Sequence, residues 1–330
     1  MTVMEKSQLL GFLEGHSQET WNKALAELSA AMHPVDREAT RIWFAFWPLE
    51  LHEALSDAKG AKDMARIMDL EGKWTLSDQL DASVGFLYGA HYWSPVKKAI
   101  VALDQASGLA GSLSELIRTV ARDAAASAKQ EESLLLGISA VGLMALRQLG
   151  AESLQKVADL PAAGDLLAKS PDRIVAQRER DTADGVLGFL RGVNRRWLVR
   201  WDETRRGAFI RAINGQDLAM AGANEASDFR SMDYRRVDGP IPVECRTGSC
   251  GYCWVGVVGG REKLSAISEF ERERLSYFGY DTSNEEGDAH PPVRLACQAT
   301  CAGDVTLAIA PWNGELKRRH DHGREKLGTS

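Results

Sequence analysis

Three of the five cysteines in this 330-residue chain lie within nine residues of one another. They are Cys245, Cys250 and Cys253, in the spacing Cys-x4-Cys-x2-Cys. A fourth, Cys297, follows in the stretch Arg-Leu-Ala-Cys-Gln. So many thiols in one short loop, with another downstream, predict a site that takes thiolate ligands.

Four thiolates in this order are the ligands that a [2Fe–2S] cluster needs, two for each iron. A structural zinc ion is the first alternative, but zinc sites usually show two Cys-x2-Cys pairs, whereas this sequence contains one. A disulfide framework is the second, and it fits poorly because the cysteine count is odd and three of the five are crowded together. The spacing favours the cluster.

The residues between the cysteines suit such a loop. Gly248 and Gly251 tolerate positive φ and allow the backbone to approach a bound group closely. Arg246, Ser249 and the loop amides are candidates to donate hydrogen bonds to sulfur, and such bonds tune the potential of a cluster. We therefore expect Arg246, Gly248, Ser249 and Gly251 to contribute to cofactor binding beside the four cysteines.

With its glycines, its downstream Arg-Leu-Ala-Cys-Gln and a later Gly-Asp-Val, this segment resembles a plant-type [2Fe–2S] ferredoxin domain. The resemblance covers about the last third of the chain and implies a β-grasp fold with Cys245, Cys250, Cys253 and Cys297 as iron ligands. It departs from simple members of the family in the long gap after Cys253 and in the extra Cys301. We expect Cys301 to be a small apolar residue that packs near the cluster, and the alternatives are a spare ligand or a redox-active thiol.

The remaining composition is that of a soluble globular protein, with 44% hydrophobic and 26% charged residues. The net charge of −6 argues against nucleic acid as a partner. The most apolar stretch, Leu134 to Leu146, is too short to span a membrane, and the first residues show no secretory signal pattern. Together with reduced thiols, these features predict a cytoplasmic protein.

The pattern of apolar residues changes along the chain from a helical part to a part with short strands, which predicts an α+β protein. Residues 1–192 show helical periodicity and recurrent helix-start signals, which predict an all-α bundle. Residues 193–316 form the expected ferredoxin-like domain, with a hairpin of strands at 197–202 and 208–213, a strand at 254–258 after the cysteine loop and a closing strand at 305–309. Between the last two strands we expect a charged helix at 268–278 and an inserted loop at 276–292. Residues 317–330 form a polar, basic tail. The predicted start signals are Thr75-x-x-Asp78, Ser94-Pro95, Ser112-x-x-Glu115 and Ser170-Pro171.

Two aromatic segments of the helical part, Trp43 to Trp47 and Phe86 to Trp93, favour a core role over a surface for a partner. Leu134 to Leu146 is apolar nearly all round, which predicts a helix buried on every side of a bundle or one buried in an oligomer interface. So many broad apolar faces nevertheless suggest surface left over for a protein partner or for oligomerisation. Isolated histidines at 33, 52 and 91 give little reason to expect a metal site.

The thiolate-ligated cluster has no open coordination position, so it moves one electron and binds no substrate. The sequence shows no Gly-x-Gly-x-x-Gly nucleotide motif and too few cysteines for a second cluster. These observations favour an electron-transfer protein whose helical module docks it to a redox enzyme or complex, or makes it a homo-oligomer. The alternatives are a redox-sensing regulator and an oxidoreductase subunit with its own site among the helices, so enzyme activity stays open.

Overall fold

The computed structural model describes residues 7–47, 49, 76, 80, 83–105, 111–157, 166, 168–182, 196–233, 235–277 and 288–310. These residues form helices and one five-stranded mixed sheet, so the chain is an α+β protein. They fall into two compact units. The first contains the helices up to Gln177 with residues 203–207, and the second contains the strands, the cysteines and the chain from Arg178 to Asp202.

The first unit is helical. Its α-helices are α1 (Gln8–Glu14), α2 (Gln18–Ser29), α3 (Pro34–Phe46), α4 (Trp93–Asp104), α5 (Leu113–Ala128), α6 (Glu132–Leu149), α7 (Ala151–Lys156) and α8 (Pro171–Thr182), of which α8 continues into the second unit. A short 3₁₀-helix, Tyr88–Tyr92, runs directly into α4.

Helix α6 forms the centre of this unit, and every residue from Leu134 to Leu146 is buried, as the sequence predicts. Helices α1, α3, α4, α5 and α7 and the 3₁₀-helix all pack against it. By length and composition α6 could cross a membrane, with a mean hydropathy of 1.3, but it is mostly enclosed, like the core helix of a soluble protein. A cytoplasmic location stays a prediction.

A buried carboxylate ties α3 to the 3₁₀-helix. Asp36 is fully buried and accepts hydrogen bonds from the backbone amides of Tyr88 and Gly89, both at 2.6 Å. These amides belong to the first turn of a helix, where backbone N–H groups lack intrahelical acceptors. Asp36 therefore caps a helix that is distant from it in sequence.

Two of the predicted helix starts are confirmed and one is wrong. Ser112 and Glu115 form a capping box, and α8 begins at Pro171. Helix α4, however, begins at Trp93 and not after Ser94. The 3₁₀-helix Tyr88–Tyr92 ends directly before it, so the backbone is already helical when it reaches Trp93. Pro95 is tolerated there because its missing N–H falls within the first helical turn. Thr75 and Asp78, which form the remaining signal, lie outside the described residues.

Both aromatic segments lie largely in the core, as expected: Trp43, Phe46, Trp47 and Trp93 are each at most 4% exposed. The large hydrophobic side chains that are exposed among the described residues all lie between Ile213 and Phe270, in the second unit. These helical segments therefore do not provide the surplus apolar surface from which a docking or oligomerisation role was inferred. That role stays a prediction without this support.

The histidines of the helical part have local partners where they are described. His33 caps α3 by accepting from the Val35 amide at 3.2 Å, and its other ring nitrogen lies 3.3 Å from Asp172. His91 stacks on Tyr92 and lies beside the Tyr88 carbonyl. His52 lies outside the described residues.

The second unit is built on strands β1 (Arg196–Arg200), β2 (Phe209–Ile213), β3 (Trp254–Gly259), β4 (Val293–Leu295) and β5 (Val305–Ile309), in the order β2-β1-β5-β3-β4. Strands β1 and β5 are parallel, and the other neighbours are antiparallel. Helices α9 (Leu218–Ala223) and α10 (Glu269–Tyr277) complete the unit, with a 3₁₀ turn at Arg261–Lys263.

The predicted β1–β2 hairpin, the strand after the cysteine loop, the charged helix and the closing strand are all confirmed within one or two residues. The short strand β4 was not predicted, because three residues are too few to show a pattern. The predicted boundary at residue 192 lies outside the described residues and stays a prediction, as do the tail at 317–330 and most of the expected inserted loop.

Candidate functional site

The cysteine loop between Val243 and Cys253 has no regular secondary structure, and its path depends on three left-handed residues. Arg246 has φ 56°, Gly248 has φ 79° and Gly251 has φ 69°. These positive angles turn the backbone repeatedly within a few residues and are strained for a residue with a side chain. Gly248 is also sterically confined, because a Cβ there would lie 2.9 Å from Phe270 and 3.2 Å from Gln298.

Pairing of β3 with β4 brings the fourth cysteine to this loop. Cys253 immediately precedes β3, and Cys297 follows β4 by two residues. Because Trp254 is paired with Leu295 in antiparallel register, the neighbouring residues also face one another. The Ala296 amide donates to the Cys253 carbonyl at 2.9 Å, which holds the two cysteine segments together.

Helix α9 holds the segment around Cys297 from another direction. The Leu218 amide donates to the Ala299 carbonyl at 3.1 Å, and the Ala219 amide donates to the Ala296 carbonyl at 3.2 Å. Both donors belong to the first turn of α9, whose amides have no intrahelical acceptor. The turn that carries Cys297 is therefore anchored on both sides of the cysteine.

The structure brings all four predicted cysteines together as two pairs of thiols. All five cysteines of the chain are free, so the disulfide alternative does not apply. In the first pair, a hydrogen bond with Cys250 lowers the pKa of Cys245 to about 3, and Thr247 and Ser249 contribute in the same direction. The same bond, with burial, raises the pKa of Cys250 far above its ordinary value.

The second pair behaves in the same way. A hydrogen bond with Cys297, with burial, raises the pKa of Cys253, whereas that bond and the amide of Gln298 lower the pKa of Cys297. The Gly248 backbone also favours the Cys297 thiolate, so the loop and the distant cysteine are in contact. In each pair one thiol therefore has the lower pKa, and a metal that binds both as thiolates would displace the proton of the other.

Several polar groups surround the sulfurs. The Thr247 amide donates to Cys245 Sγ at 3.4 Å, and the Thr247 and Ser249 hydroxyls lie 3.0 Å apart. Gln298 Nε2 lies 3.5 Å from Cys297 Sγ. The sequence predicts hydrogen bonds to sulfur from Ser249 and from loop amides such as that of Thr247. It does not predict the contact of Gln298, although Gln298 is adjacent to Cys297.

Arg246 is placed differently from the expectation that its side chain would reach sulfur. Its guanidinium pairs with Asp238 at 3.0 Å and lies 3.8 Å from Met220 Sδ. Its contribution is in the backbone, where its positive φ starts the turn that follows Cys245. The fourth predicted loop residue, Gly251, turns the chain between Cys250 and Cys253.

The two thiol pairs differ in exposure. Cys245 and Cys250 are partly exposed, whereas Cys253 and Cys297 are buried. Two exposed apolar side chains lie against the loop: Met220 beside Arg246 and Phe270 beside Gly248. A group held by all four sulfurs would therefore have one end near the surface and the other in the protein interior.

Cys301 has different partners. It is fully buried, and its thiol donates to the Gly303 carbonyl at 2.8 Å while its amide donates to Gln216. Burial raises its pKa to about 11. A protonated, enclosed thiol is a poor nucleophile and a poor ligand, which is the behaviour of a structural cysteine.

A buried ion pair that the sequence does not reveal supports the fourth cysteine. Arg294 and Glu271 are each 1% exposed and form two parallel hydrogen bonds of 3.0 and 2.9 Å. Glu271 belongs to α10, where it shares a face with Leu275, four residues on and also buried. That spacing was the available signal, but Glu271 lies among other charged residues of the same helix, so it does not stand out in the sequence.

This donor set suits an iron–sulfur group. Thiolates are soft ligands that favour such clusters and zinc. Among the described residues, no group of three or more His, Cys, Asp or Glu side chains converges on a position for one metal ion. The four thiols interact as two pairs, Cys245 with Cys250 and Cys253 with Cys297.

Comparison with known proteins places the similarity in part of the chain. A protein named ferredoxin from Bacillus thermotolerans is 26% identical over 102 residues, which cover 31% of this chain and 65% of that protein. The chain thus spans less than two thirds of the length of this relative. No family model matches the chain, and no solved structure matches it. The chain is therefore similar to a ferredoxin in one region.

Proposed function

We propose that the chain binds one [2Fe–2S] cluster through Cys245, Cys250, Cys253 and Cys297 and serves as a one-electron carrier. The observation that carries the proposal is the grouping of these four thiols into two pairs contributed by two segments far apart in sequence. Two pairs match two irons with two thiolates each.

The pairing favours this cluster over structural zinc. A zinc ion needs its four ligands arranged tetrahedrally around one point, usually as two Cys-x2-Cys pairs. Here one pair, Cys245 with Cys250, comes from a Cys-x4-Cys spacing, and the other joins Cys253 to a residue 44 positions away. Two separate pairs of thiols suit a cluster with two irons, one bound by each pair, better than a single zinc ion bound by all four thiols.

When bound, such a cluster accepts and releases one electron without offering a free coordination position. The protein then determines the potential and the route of the electron. Amides directed at sulfur, such as that of Thr247, stabilise the added negative charge of the reduced form. Because Cys245 and Cys250 are the exposed pair, the electron would enter and leave at their end.

The architecture of the second unit supports assignment to a β-grasp ferredoxin domain. Its mixed sheet has β1 and β5 as a parallel central pair, with β2 and β3 on either side and β4 at one edge. The cysteine loop leads into β3 and the last cysteine follows β4, which is the placement expected from the sequence resemblance. The partial similarity to a protein named ferredoxin points in the same direction.

We assign the helical unit a docking role, so that the complete protein works beside a redox enzyme or as part of a complex or homo-oligomer in the cytoplasm. An attached module raises the local concentration of a partner, which benefits a carrier that must approach closely to exchange electrons. This assignment rests on the domain organisation, because the aromatic segments of the helical unit are core residues.

The proposal is tested by reconstituting the complete chain anaerobically with iron and sulfide. We expect two irons and two sulfides per chain, visible absorption that bleaches on reduction, and an EPR signal from one unpaired electron. If the cluster behaves as plant-type centres do, its potential will lie near about −400 mV. Zinc in place of iron, or a chain that binds neither, would refute the proposal.

A further inference from the structure

We propose that Glu271 and Arg294 are positioning residues that hold Cys297 in the geometry the cluster needs and thereby set the properties of the bound cluster. The inference rests on the proposed function, because it concerns the fourth ligand of that site. It adds a role for helix α10, which contributes no ligand.

The contacts of the pair are directional and complete. Arg294 Nε and Nη2 donate to Glu271 Oε1 and Oε2 at 3.0 and 2.9 Å, and Arg294 Nη1 donates to the Ser265 carbonyl at 2.7 Å. Glu271 Oε1 also accepts the Leu295 amide at 2.8 Å. A bidentate guanidinium–carboxylate pair has one favourable geometry, so it fixes orientation as well as distance.

The carboxylate acts at the point where the chain enters the ligand turn. Leu295 is two residues before Cys297, and its carbonyl accepts the amides of Gln298 and Ala299 at 2.9 and 3.0 Å. Glu271 therefore holds the amide of Leu295, while the carbonyl of the same residue closes the turn around Cys297. A shift of Glu271 would move the turn and the Cys297 sulfur with it.

Helix α10 also contacts the segment that carries the other three cysteines. Phe270, adjacent to Glu271, lies against Gly248, where a Cβ would come within 2.9 Å of its ring. The Gly248 backbone in turn interacts with Cys297. Consecutive residues of one helix thus contact both ligand-bearing segments, so α10 can keep them in register before a cluster is bound.

Stability alone is a weak explanation for this pair. Removing two charges from water costs free energy that their attraction only partly returns, and apolar side chains of similar volume often serve as well. What the ion pair provides, and an apolar pair could not, is a hydrogen bond that fixes the position of Leu295 and of the turn that follows it. The experiment therefore has to separate folding from the state of the cluster.

The test compares three variants of the complete chain after reconstitution. Glu271→Gln removes the charge, and the double variant Glu271→Met with Arg294→Met removes the pair without leaving an unpaired buried charge. Glu273→Gln is the matched control, because Glu273 is exposed on the same helix. The measurements are the thermal unfolding of the cluster-free chain, the rate of iron loss to a chelator, the EPR spectrum and the reduction potential.

We expect both pair variants to lose iron faster than the wild type and to show a shifted EPR spectrum and potential, while Glu273→Gln matches the wild type in every measurement. Outer-shell partners of metal ligands commonly contribute about 10–100-fold in metal affinity, and we expect an effect of that size. In the double variant these changes should occur although the unfolding temperature stays close to that of the wild type.

Wild-type spectra, potential and iron loss in a folded double variant would overturn the inference. So would a double variant that fails to fold, because the pair would then act through stability. A wild-type chain that binds no [2Fe–2S] cluster would instead refute the proposed function, so the two failures are distinguishable.

Discussion

The Ala296 amide donates to the Cys253 carbonyl at 2.9 Å, and this bond helps to join the two segments that supply the predicted ligands. It continues the β3–β4 ladder by one step beyond the pair Trp254 and Leu295. Cys253 and Cys297 are therefore neighbours because two strands are paired. The sheet thus determines the buried half of the site, and the left-handed loop determines the exposed half.

The first prediction concerns the ligand set. Replacing any one of Cys245, Cys250, Cys253 or Cys297 by serine should abolish or greatly weaken cluster binding, because each thiolate supplies half of the protein ligands of one iron. Iron and sulfide content with visible absorption after reconstitution would measure the loss.

Cys301→Ser is the matched control for these variants. Its thiol is buried and bonded to the Gly303 carbonyl, and a hydroxyl can make the same bond, so cluster content should equal that of the wild type. Loss of the cluster in Cys301→Ser, with retention in Cys297→Ser, would exchange the roles of these two cysteines.

The second prediction separates backbone strain from steric crowding in the cysteine loop. Gly248 and Gly215 have nearly equal φ, 79° and 80°, but a Cβ would meet Phe270 and Gln298 at Gly248 and nothing within 4 Å at Gly215. Each Gly→Ala variant should be destabilised by about 1–2 kcal/mol, the cost of a left-handed residue with a side chain. Denaturant unfolding would measure both losses.

Only Gly248→Ala should also alter the bound cluster. Its new methyl group would displace Gln298, whose amide lies beside Cys297 Sγ, so the EPR spectrum and potential should shift. Gly215→Ala should retain wild-type spectra. Identical spectra for the two variants would mean that the space around Gly248 has no influence on the cluster.

The parts of the site that depend on local sequence are the parts that sequence alone predicts. The Cys-x4-Cys-x2-Cys spacing, the positive-φ glycines and the strand after Cys253 are each encoded within a few residues. The Ser112 capping box is predicted for the same reason, because both of its partners lie within four residues. The helix start predicted from Ser94-Pro95 is wrong, because the 3₁₀-helix Tyr88–Tyr92 directly before it determines where α4 begins.

Contacts between distant residues were not predictable in this way. Glu271 and Arg294 are 23 residues apart, and the sequence of a charged helix does not show that Glu271 pairs with Arg294. Asp36 and its amide partners at Tyr88 and Gly89 are more than 50 residues apart. Such contacts depend on how the helices and strands pack against one another. A single sequence shows the residues but not which of them are in contact.

The third prediction concerns Asp36 in the helical unit. Asp36→Asn should lower the free energy of unfolding by about 1–3 kcal/mol, because the amide side chain has one acceptor oxygen for two buried N–H donors. Asp172→Asn is the control, since that side chain is 91% exposed, and its effect should stay within about 0.5 kcal/mol. Equal unfolding curves for the two variants would contradict a capping role for Asp36.

The fourth prediction tests the packing of the central helix. Gly142→Ala in α6 would place a Cβ 2.7 Å from Ile100 and 3.3 Å from Val96, both fully buried, and should cost about 1–3 kcal/mol by overpacking. Gly11→Ala in α1 has nothing within 4 Å and should stabilise by up to about 1 kcal/mol through helix propensity. Thermal unfolding would show opposite shifts, whereas shifts of one sign would mean that α6 is less tightly enclosed.

The last prediction is that the cluster-binding unit folds without the helical one, as the change of sequence pattern near residue 192 suggests. Two fragments provide the test, 193–330 and 178–330, and both should bind the cluster after reconstitution. The longer one should be the more stable, because Arg178 belongs to the second unit, where its Cγ lies 3.1 Å from the position of a Cβ on Gly259. Iron content and unfolding temperature would be compared with those of the complete chain. If neither fragment binds iron while the complete chain does, the unit depends on the helical part and the proposed division into independent domains is wrong.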